Sequence, residues 1–531
     1  MSAPADFDAI VVGGGHNGLA CAAYLARAGR RVIVLERRGL VGGAAVSEEL
    51  HPGFTYSVCS YVVSLLRPWI IRDLELARHG LELIPLECSF SPYLDGRSLA
   101  RWDDARRTHD EIAAFSKRDA ERYPLYGQRM AELAAFVAPL IDELAPDPAT
   151  TSTAQLADAL SHWRRFRALP ARQRTLFMRL MTASAADFLD EHFESDELKA
   201  PMSVSGIIGT MQGVRSPGTA YVLLHHYMGE IDGHYRAWGF ARGGTGAVSE
   251  ALASAARFHG AVIRTDCDVA GLLFEGDEAC GVHLANGDEL RARSVISGLD
   301  PRRTFHGLVG RERLPNEINA KLDRFRYRGS SGKVNLALDR LPNFTSRPGD
   351  GPHLAGDIAI APSVDALELA FDEAKAGRWS SRPYINVVIP SLSDPTVAPD
   401  GKHVMSCFVQ YAPYELAEGP DAWPAQRDAF GDNVIATLEQ YAPGLSQTIL
   451  HQQVLTPWDL EREFGLSEGN IFHGELSLEQ LAFLRPMAGQ SQHATPIPKL
   501  WLASSGAHPG GGIMGAPGAL CARRMLAGGA L

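Results

Sequence analysis

Paired cysteine is what this chain most plainly lacks. The 531 residues include seven cysteines, Cys21, Cys59, Cys88, Cys267, Cys280, Cys407 and Cys521, an odd number with no CxxC among them. No metal-ligand spacing occurs, no metal is expected, and a secreted disulfide scaffold is excluded. Free thiols in a reducing compartment fit best. A CxxxxC pair after the N-terminal glycine turn is also missing, which excludes a dithiol reductase. No apolar run reaches the roughly 18 residues that a membrane-spanning helix needs. The opening MSAPADFD has neither a basic segment nor an apolar one, so a cytoplasmic protein is expected. Basic charge is in deficit, 51 Lys and Arg against 62 Asp and Glu for a net −11, which argues against nucleic acid as a partner. What is present is ordinary globular material, 45% hydrophobic and 8% aromatic, in a chain long enough for two or more domains.

The most informative stretch runs from Asp8 to Ser47. An apolar run, Ala9 to Val12, reads as a buried parallel strand, and Gly13-Gly14-Gly15-His16-Asn17-Gly18 reads as a turn. A helix over Leu19–Ala28 and a second strand over Val32–Leu35 follow, ending in Glu36. This is a βαβ unit carrying GxGxxG at Gly13, Gly15 and Gly18. Gly13 permits the tight turn, Gly15 lets a pyrophosphate approach the backbone, and Gly18 lets the helix lie close on the strand. The helix N-terminus attracts phosphate, and Glu36 is placed to accept ribose hydroxyls. Gly42-Gly43 and Ser47 follow Glu36 in an E-x5-GG-x3-S arrangement. It is similar to the second half of the FAD signature of glutathione-reductase-type proteins, so FAD is favoured over a nicotinamide cofactor.

Downstream, Tyr61–Ile71 is strongly apolar. It reads as a helix packed between domains, or else as a peripheral membrane patch or lipid entrance. Residues 93–200 read as amphipathic helices, with Arg164, Arg165 and Arg167 on a solvated face. Arg242-Gly243-Gly244-Thr245-Gly246 precedes a helix over Ala247–Phe258. No strand leads into it, so a second nucleotide site is disfavoured. A β-meander between Val262 and Arg291 and a return strand over Ser294–Ser297 come next. Strands over Lys333–Asp339, Tyr384–Ile389 and His403–Tyr411, with helices near Asp365–Ala376 and Ala425–Gln440, predict a mixed sheet under a substrate cavity. A final strand, a glycine turn over Gly506–Gly515 and a short helix close the chain.

With both glycine blocks quoted, the chain resembles the phytoene desaturase and carotenoid isomerase group of FAD-dependent oxidoreductases. Within it, the likeness is to the subgroup of pyridine nucleotide-disulphide oxidoreductase domain-containing proteins. The residues that carry this are Gly13, Gly15, Gly18, Glu36, Gly42 and Gly43, the closing GAHPGGGIMGAPG, and the stretch from Thr456 to Pro486. The resemblance implies an α/β fold: a Rossmann-like FAD domain of the glutathione-reductase type with an inserted α+β substrate domain, as in the amine oxidases. The FAD domain is expected from residues 1–75, 240–305 and 495–531, and the substrate or helical lid domain from 76–239 and 306–494. Implied FAD contacts are Gly13, Gly15, His16, Asn17, Gly18, Glu36, Arg37, Gly42, Gly43, Ala44, Val269, Gly506, Gly512, Ile513 and Met514.

For chemistry, the resemblance implies that Lys333 holds a water against the flavin, with a solvent-facing strand-edge lysine as the plain alternative. Cys59 is a reactive thiol or a small buried one, and His473 with Glu475 lines the cavity or serves structure. Where desaturases commonly carry an acid and a glycine, this chain has Ser57 and Cys59, and Ala44 stands where a basic residue often follows the glycine pair. The expected reaction is removal of hydride from a C–H bond of a largely apolar organic substrate, with oxygen or a quinone as electron acceptor. Amine oxidation, flavin-dependent isomerisation or saturation, and a non-catalytic FAD-binding protein are the alternatives. A peripheral membrane contact and oligomerisation are left open.

Overall fold

Two seven-stranded sheets organise the chain, and each collects strands from distant parts of the sequence. The computed structural model describes residues 5–148, 150–231, 234–235 and 238–531. In the first sheet, Val262–Arg264, Val32–Leu35, Phe7–Val12, Glu289–Ser297 and Leu500–Leu502 run parallel, side by side in that order. Ala9–Val12 and Val32–Leu35 are buried throughout, as parallel strands covered on both faces must be. The meander Val269–Glu275 and Glu278–Leu284 pairs antiparallel with the first residues of Glu289–Ser297. Helices His16–Arg27, Gly246–Phe258 and Ala516–Ala527 share one alanine-rich core against this sheet. The small side chains let helix axes approach closely. A Cβ on Gly518 would lie 1.8 Å from the Asn17 carbonyl oxygen.

The second sheet runs in the order Ile449–Leu455, Ser331–Leu338, His403–Gln410, Tyr384–Val388, Asp357–Ile360, Cys88–Pro92, Ser98–Trp102. Only the Asp357–Ile360 and Cys88–Pro92 pair is parallel. Helices Val364–Lys375 and Trp423–Tyr441 flank it close to where the apolar spacing places them. The expectation of helix from Tyr93 onward needs correction. Cys88–Pro92 and Ser98–Trp102 form a hairpin closed by the turn at Asp95-Gly96, where Gly96 has φ +88°, a conformation that glycine adopts freely. Helices begin at Ala105 and continue through Lys117–Ile141, Thr153–Ala168 and Ala171–Thr182.

Tyr61–Ile71 is interior, so its reading as a membrane patch is corrected too. Val63, Leu65, Leu66 and Ile70 are buried, and the segment turns into a short helix at Pro68–Asp73. Arg67, also buried, is clamped by Asp142 at 2.7 and 2.8 Å, which ties this segment to the helical region. Among the described residues, no helix is long and apolar enough to cross a membrane.

Candidate active site

A cleft of about 300 Å³ opens over Val12, Leu35 and Gly298, at the carboxyl ends of three parallel strands. Sheets of this kind place ligands there. The turn that forms its floor needs its glycines for different reasons. Gly13 sits at φ +95°, and a Cβ on Gly18 would lie 2.4 Å from the Gly13 carbonyl oxygen. A Cβ on Gly15 would meet no protein atom within 4 Å, so only a ligand in the cleft explains a need for its smallness. The helix that follows starts at His16 without any side-chain cap, leaving its first N–H groups for an anion.

Glu36 is buried, and its two oxygens accept the N–H groups of Gly14 (2.7 Å) and Arg38 (2.9 Å). Each oxygen keeps a further lone pair toward the cleft, as ribose hydroxyls require. Gly42 donates its N–H to the Gly14 carbonyl at 2.8 Å, which seats the second glycine pair directly on the first turn. Asn17 and His473 line this cleft, and each carries a buried polar atom, Asn17 Oδ1 and His473 Nδ1, with no hydrogen-bond partner among the described residues. With the open space beside Gly15 and the uncapped helix start, these unpartnered groups fit a bound dinucleotide.

The two ends of the chain meet here. The His16 ring N–H donates to the Gly512 carbonyl at 3.1 Å, and the Asn17 amide donates to Ser505 Oγ at 3.0 Å. Burial, and less so the nearby His473, holds the His16 imidazole down at about 4, so it is neutral at pH 7. Gly13, Gly15, His16, Asn17, Gly18, Glu36, Arg37, Gly42, Gly43, Ala44 and Val269 all line the cleft. Gly506 and Met514 do not. Gly506 packs its backbone on the Pro301 ring, and the Met514 side chain is buried in the helical core. Sequence reading missed Arg38, Arg303 and Ser505, which also line it. With Ala44 uncharged, Arg37, Arg38 and Arg303 supply the nearby positive charge. Arg303 had a faint signal as half of an arginine pair just after the return strand.

A smaller cavity of about 110 Å³ adjoins the cleft through His16, Ala44 and Ile471. Gly512 and Ile513 line it, together with Cys59, Tyr61, Leu65, Ile208, Phe408 and Phe472. Tyr61 stacks on Phe408 with ring centres 5.4 Å apart. Burial pushes the Cys59 thiol up to about 12, so it lines the wall protonated rather than as a thiolate. Beyond His226 and Trp238 lies an outer cavity of about 690 Å³, with Arg101, Asp103 and Asp357 among aromatic side chains.

Lys333 is 2% exposed, not a strand-edge residue. Its ammonium donates to the carbonyls of Ser57 (2.7 Å), Val58 (3.3 Å) and Ser60 (2.9 Å). All three N–H groups are therefore taken, and one would have to be released before Lys333 could hold a water. Burial presses its pKa down to about 7, against the three carbonyls that favour the charged form. His473 lines the cleft, with its backbone at φ +58°. Glu475 takes the structural alternative instead. It is fully buried and held by the Arg328 guanidinium at 2.6 and 2.9 Å.

One departure in the sequence, Ser57, finds an explanation. Ser57 Oγ accepts the Thr245 N–H and Ser47 Oγ accepts the Gly246 N–H, while Asp394 takes the Gly243 N–H at 2.6 Å. The glycine loop at 242–246 thus has its donors filled by protein and offers no second phosphate site. Arg485, fully buried, donates to the carbonyls of Phe472, Gly474, Glu475, Gln480 and Ser505, and so ties the segment from Phe472 to Gln480 to the start of the closing glycine turn.

Comparison with known proteins gives this geometry its relatives. The family of flavin-containing amine oxidoreductases matches residues 18–516. Rat pyridine nucleotide-disulfide oxidoreductase domain-containing protein 2 is 42% identical over 535 residues, covering 97% of this chain and 92% of that protein. A lycopene-forming phytoene desaturase from Pantoea ananas is 24% identical, covering 96% of each. Putrescine oxidase bound to putrescine has the same fold, with a TM-score of 0.59 at 16% identity over 98% of each chain.

Proposed function

The chain belongs to the flavin-containing amine oxidoreductase family, and from that premise we propose that it is an FAD-dependent enzyme of desaturase or dehydrogenase type. Its substrate is a largely apolar organic molecule that loses hydride from a C–H bond. The observation that carries this reading is the inner cavity, whose walls are Tyr61, Leu65, Ile208, Phe408 and Phe472, with no carboxylate among its lining residues.

FAD is the flavin favoured by the paired glycine blocks and by the carboxylate of Glu36 at the ribose position. Gly13–Gly18 and the uncapped helix at His16 would hold its pyrophosphate, and Gly512 and Ile513 would border its ring. When bound, FAD supplies the two-electron acceptor for the hydride. The chain's own residues bind, orient and exclude water. Tyr61 and Phe408 present a flat apolar wall to the substrate. Burial lowers the pKa of His226, which lines the same cavity, so its ring is neutral there, and its Nδ1–H donates to the Val222 carbonyl at 2.9 Å, which fixes the ring in the wall. Lys333 fixes the backbone from Ser57 to Ser60, and with it the Cys59 wall. An oxygen or quinone acceptor completes the cycle. Seven unpaired thiols suit a cytoplasmic setting.

A second reading, amine oxidation, draws on the outer cavity, where Asp103 and Asp357 sit among aromatic side chains suited to a cation. Anaerobic titration of the FAD-loaded protein separates the two. Bleaching of flavin absorbance by unsaturated hydrocarbons, and not by an amine panel, is the expected result. Bleaching by amines alone, with peroxide released in air, would replace the first reading with the second.

A further inference from the structure

We propose that the outer face of the helical hairpin Thr153–Ala168 and Ala171–Thr182 docks on an anionic lipid bilayer. The helix Thr153–Ala168 contains no buried residue, although it is not polar all round. Leu156, Leu160 and Trp163 are 51%, 45% and 55% exposed, and their spacing of four and three residues sets them in one stripe. Arg167 falls on the same stripe, its guanidinium 5.4 Å from the centre of the Trp163 ring. The neighbouring face, about a quarter-turn round the helix, is the one held by protein contacts. His162 pairs with Glu143, and Phe166 packs on Phe136 and Phe177. The outward stripe is therefore fixed in direction and covered by nothing. Met178, 55% exposed, adds apolar surface from the second helix.

Charge decides what would cover it. Residues 153–182 carry six arginines against the single acid Asp158, a local +5 in a chain whose net charge is −11. Glu143 and Glu191 pair with Arg165 and Arg179. Among the described residues, Arg164, Arg167 and Arg172 form no ion pair. Exposed Leu and Trp flanked by arginines is the composition of a helix that lies in a lipid headgroup layer and is drawn there by anionic lipid. A second copy of the chain would set an arginine-rich face against its like and is disfavoured. This surface differs from Tyr61–Ile71, whose apolar groups are interior. A largely apolar substrate would be met at the bilayer. That consequence, unlike the docking itself, rests on the proposed substrate class.

Sedimentation of the full-length, flavin-loaded protein with vesicles tests the proposal. One set is phosphatidylcholine alone, the other phosphatidylcholine mixed with phosphatidylglycerol. Binding to the mixed vesicles, reversed by salt and accompanied by a blue shift of tryptophan fluorescence, is expected. The double variants Leu160→Gln/Trp163→Gln and Arg164→Glu/Arg167→Glu should each bind about tenfold less or weaker still. These side chains are on the surface, so flavin content and Tm should not change. No binding to mixed vesicles, equal binding to phosphatidylcholine alone, or unaltered binding in both variants would overturn the proposal. So would a dimer in solution that the apolar double variant dissolves, which would assign the face to a second copy.

Discussion

Lys333 holds a positive charge, or its neutral counterpart, in a place where three backbone carbonyls and the Tyr61 ring answer it and, among the described residues, no carboxylate is hydrogen-bonded to it. Removing it in Lys333→Met leaves the carbonyls of Ser57 and Ser60 buried without that donor, while the Val58 carbonyl keeps the Asn335 amide. At roughly 1–3 kcal/mol for each buried unsatisfied group, a loss of stability on the order of 3 kcal/mol is expected in urea unfolding of the apoprotein. The pH dependence has a definite sign. In the folded chain the group titrates near 7, against an ordinary 10.5 when unfolded. Between those values the unfolded state binds more protons, so this residue makes stability rise with pH. Lys333→Met should flatten that rise. A variant as stable as the parent, with the same slope from pH 7 to 10, would show that the three carbonyl contacts do not form.

At the scale of elements, the contact between the first helix, His16–Arg27, and the closing helix, Ala516–Ala527, governs the site. Gly518→Ala would drive a methyl group to 1.8 Å from the Asn17 carbonyl oxygen and force the helices apart. The His16–Gly512 and Asn17–Ser505 bonds lie beside that contact. We expect Tm to fall by several degrees and flavin affinity to fall with it, read by thermal melting and flavin fluorescence titration. An unchanged Tm would mean the helices are not in this register. Elements whose causes are local were legible in the sequence. Gly13–Gly18, Val32–Glu36 and the helix Val364–Lys375 each follow from adjacent residues. The hairpin at Cys88–Trp102 was hidden because its alternation is short and amphipathic helices follow at once. The inner cavity was illegible for another reason. Ile208, Phe408 and Phe472 read as core residues in three separate segments, and only the tertiary fold turns them toward Cys59 and Tyr61.

Across the whole molecule, the interior around the joined ends is built with neutral histidines. Burial holds His16, His493 and His508 down at about 4 and His225 at about 3. Below their ordinary value of 6.5 the unfolded state takes up protons that the folded state refuses, so stability falls as pH drops from 6.5 toward 4. The slope approaches about 1.4 kcal/mol per pH unit for each group. Melting at pH 7 and pH 5 should differ by many degrees, and a flat profile would show that these rings meet solvent. All of these features fit the arrangement we propose, in which two glycine-rich turns from opposite ends of the chain close on a single FAD. Gly15→Ala tests it most directly, because its new methyl group meets no protein atom within 4 Å and points only into the cleft. Titrating apoprotein with FAD, we predict one flavin bound per parent chain, and at least about tenfold weaker binding by a Gly15→Ala variant of unchanged apoprotein Tm. A parent chain that takes up no flavin, or a variant that binds it equally well, would contradict the account.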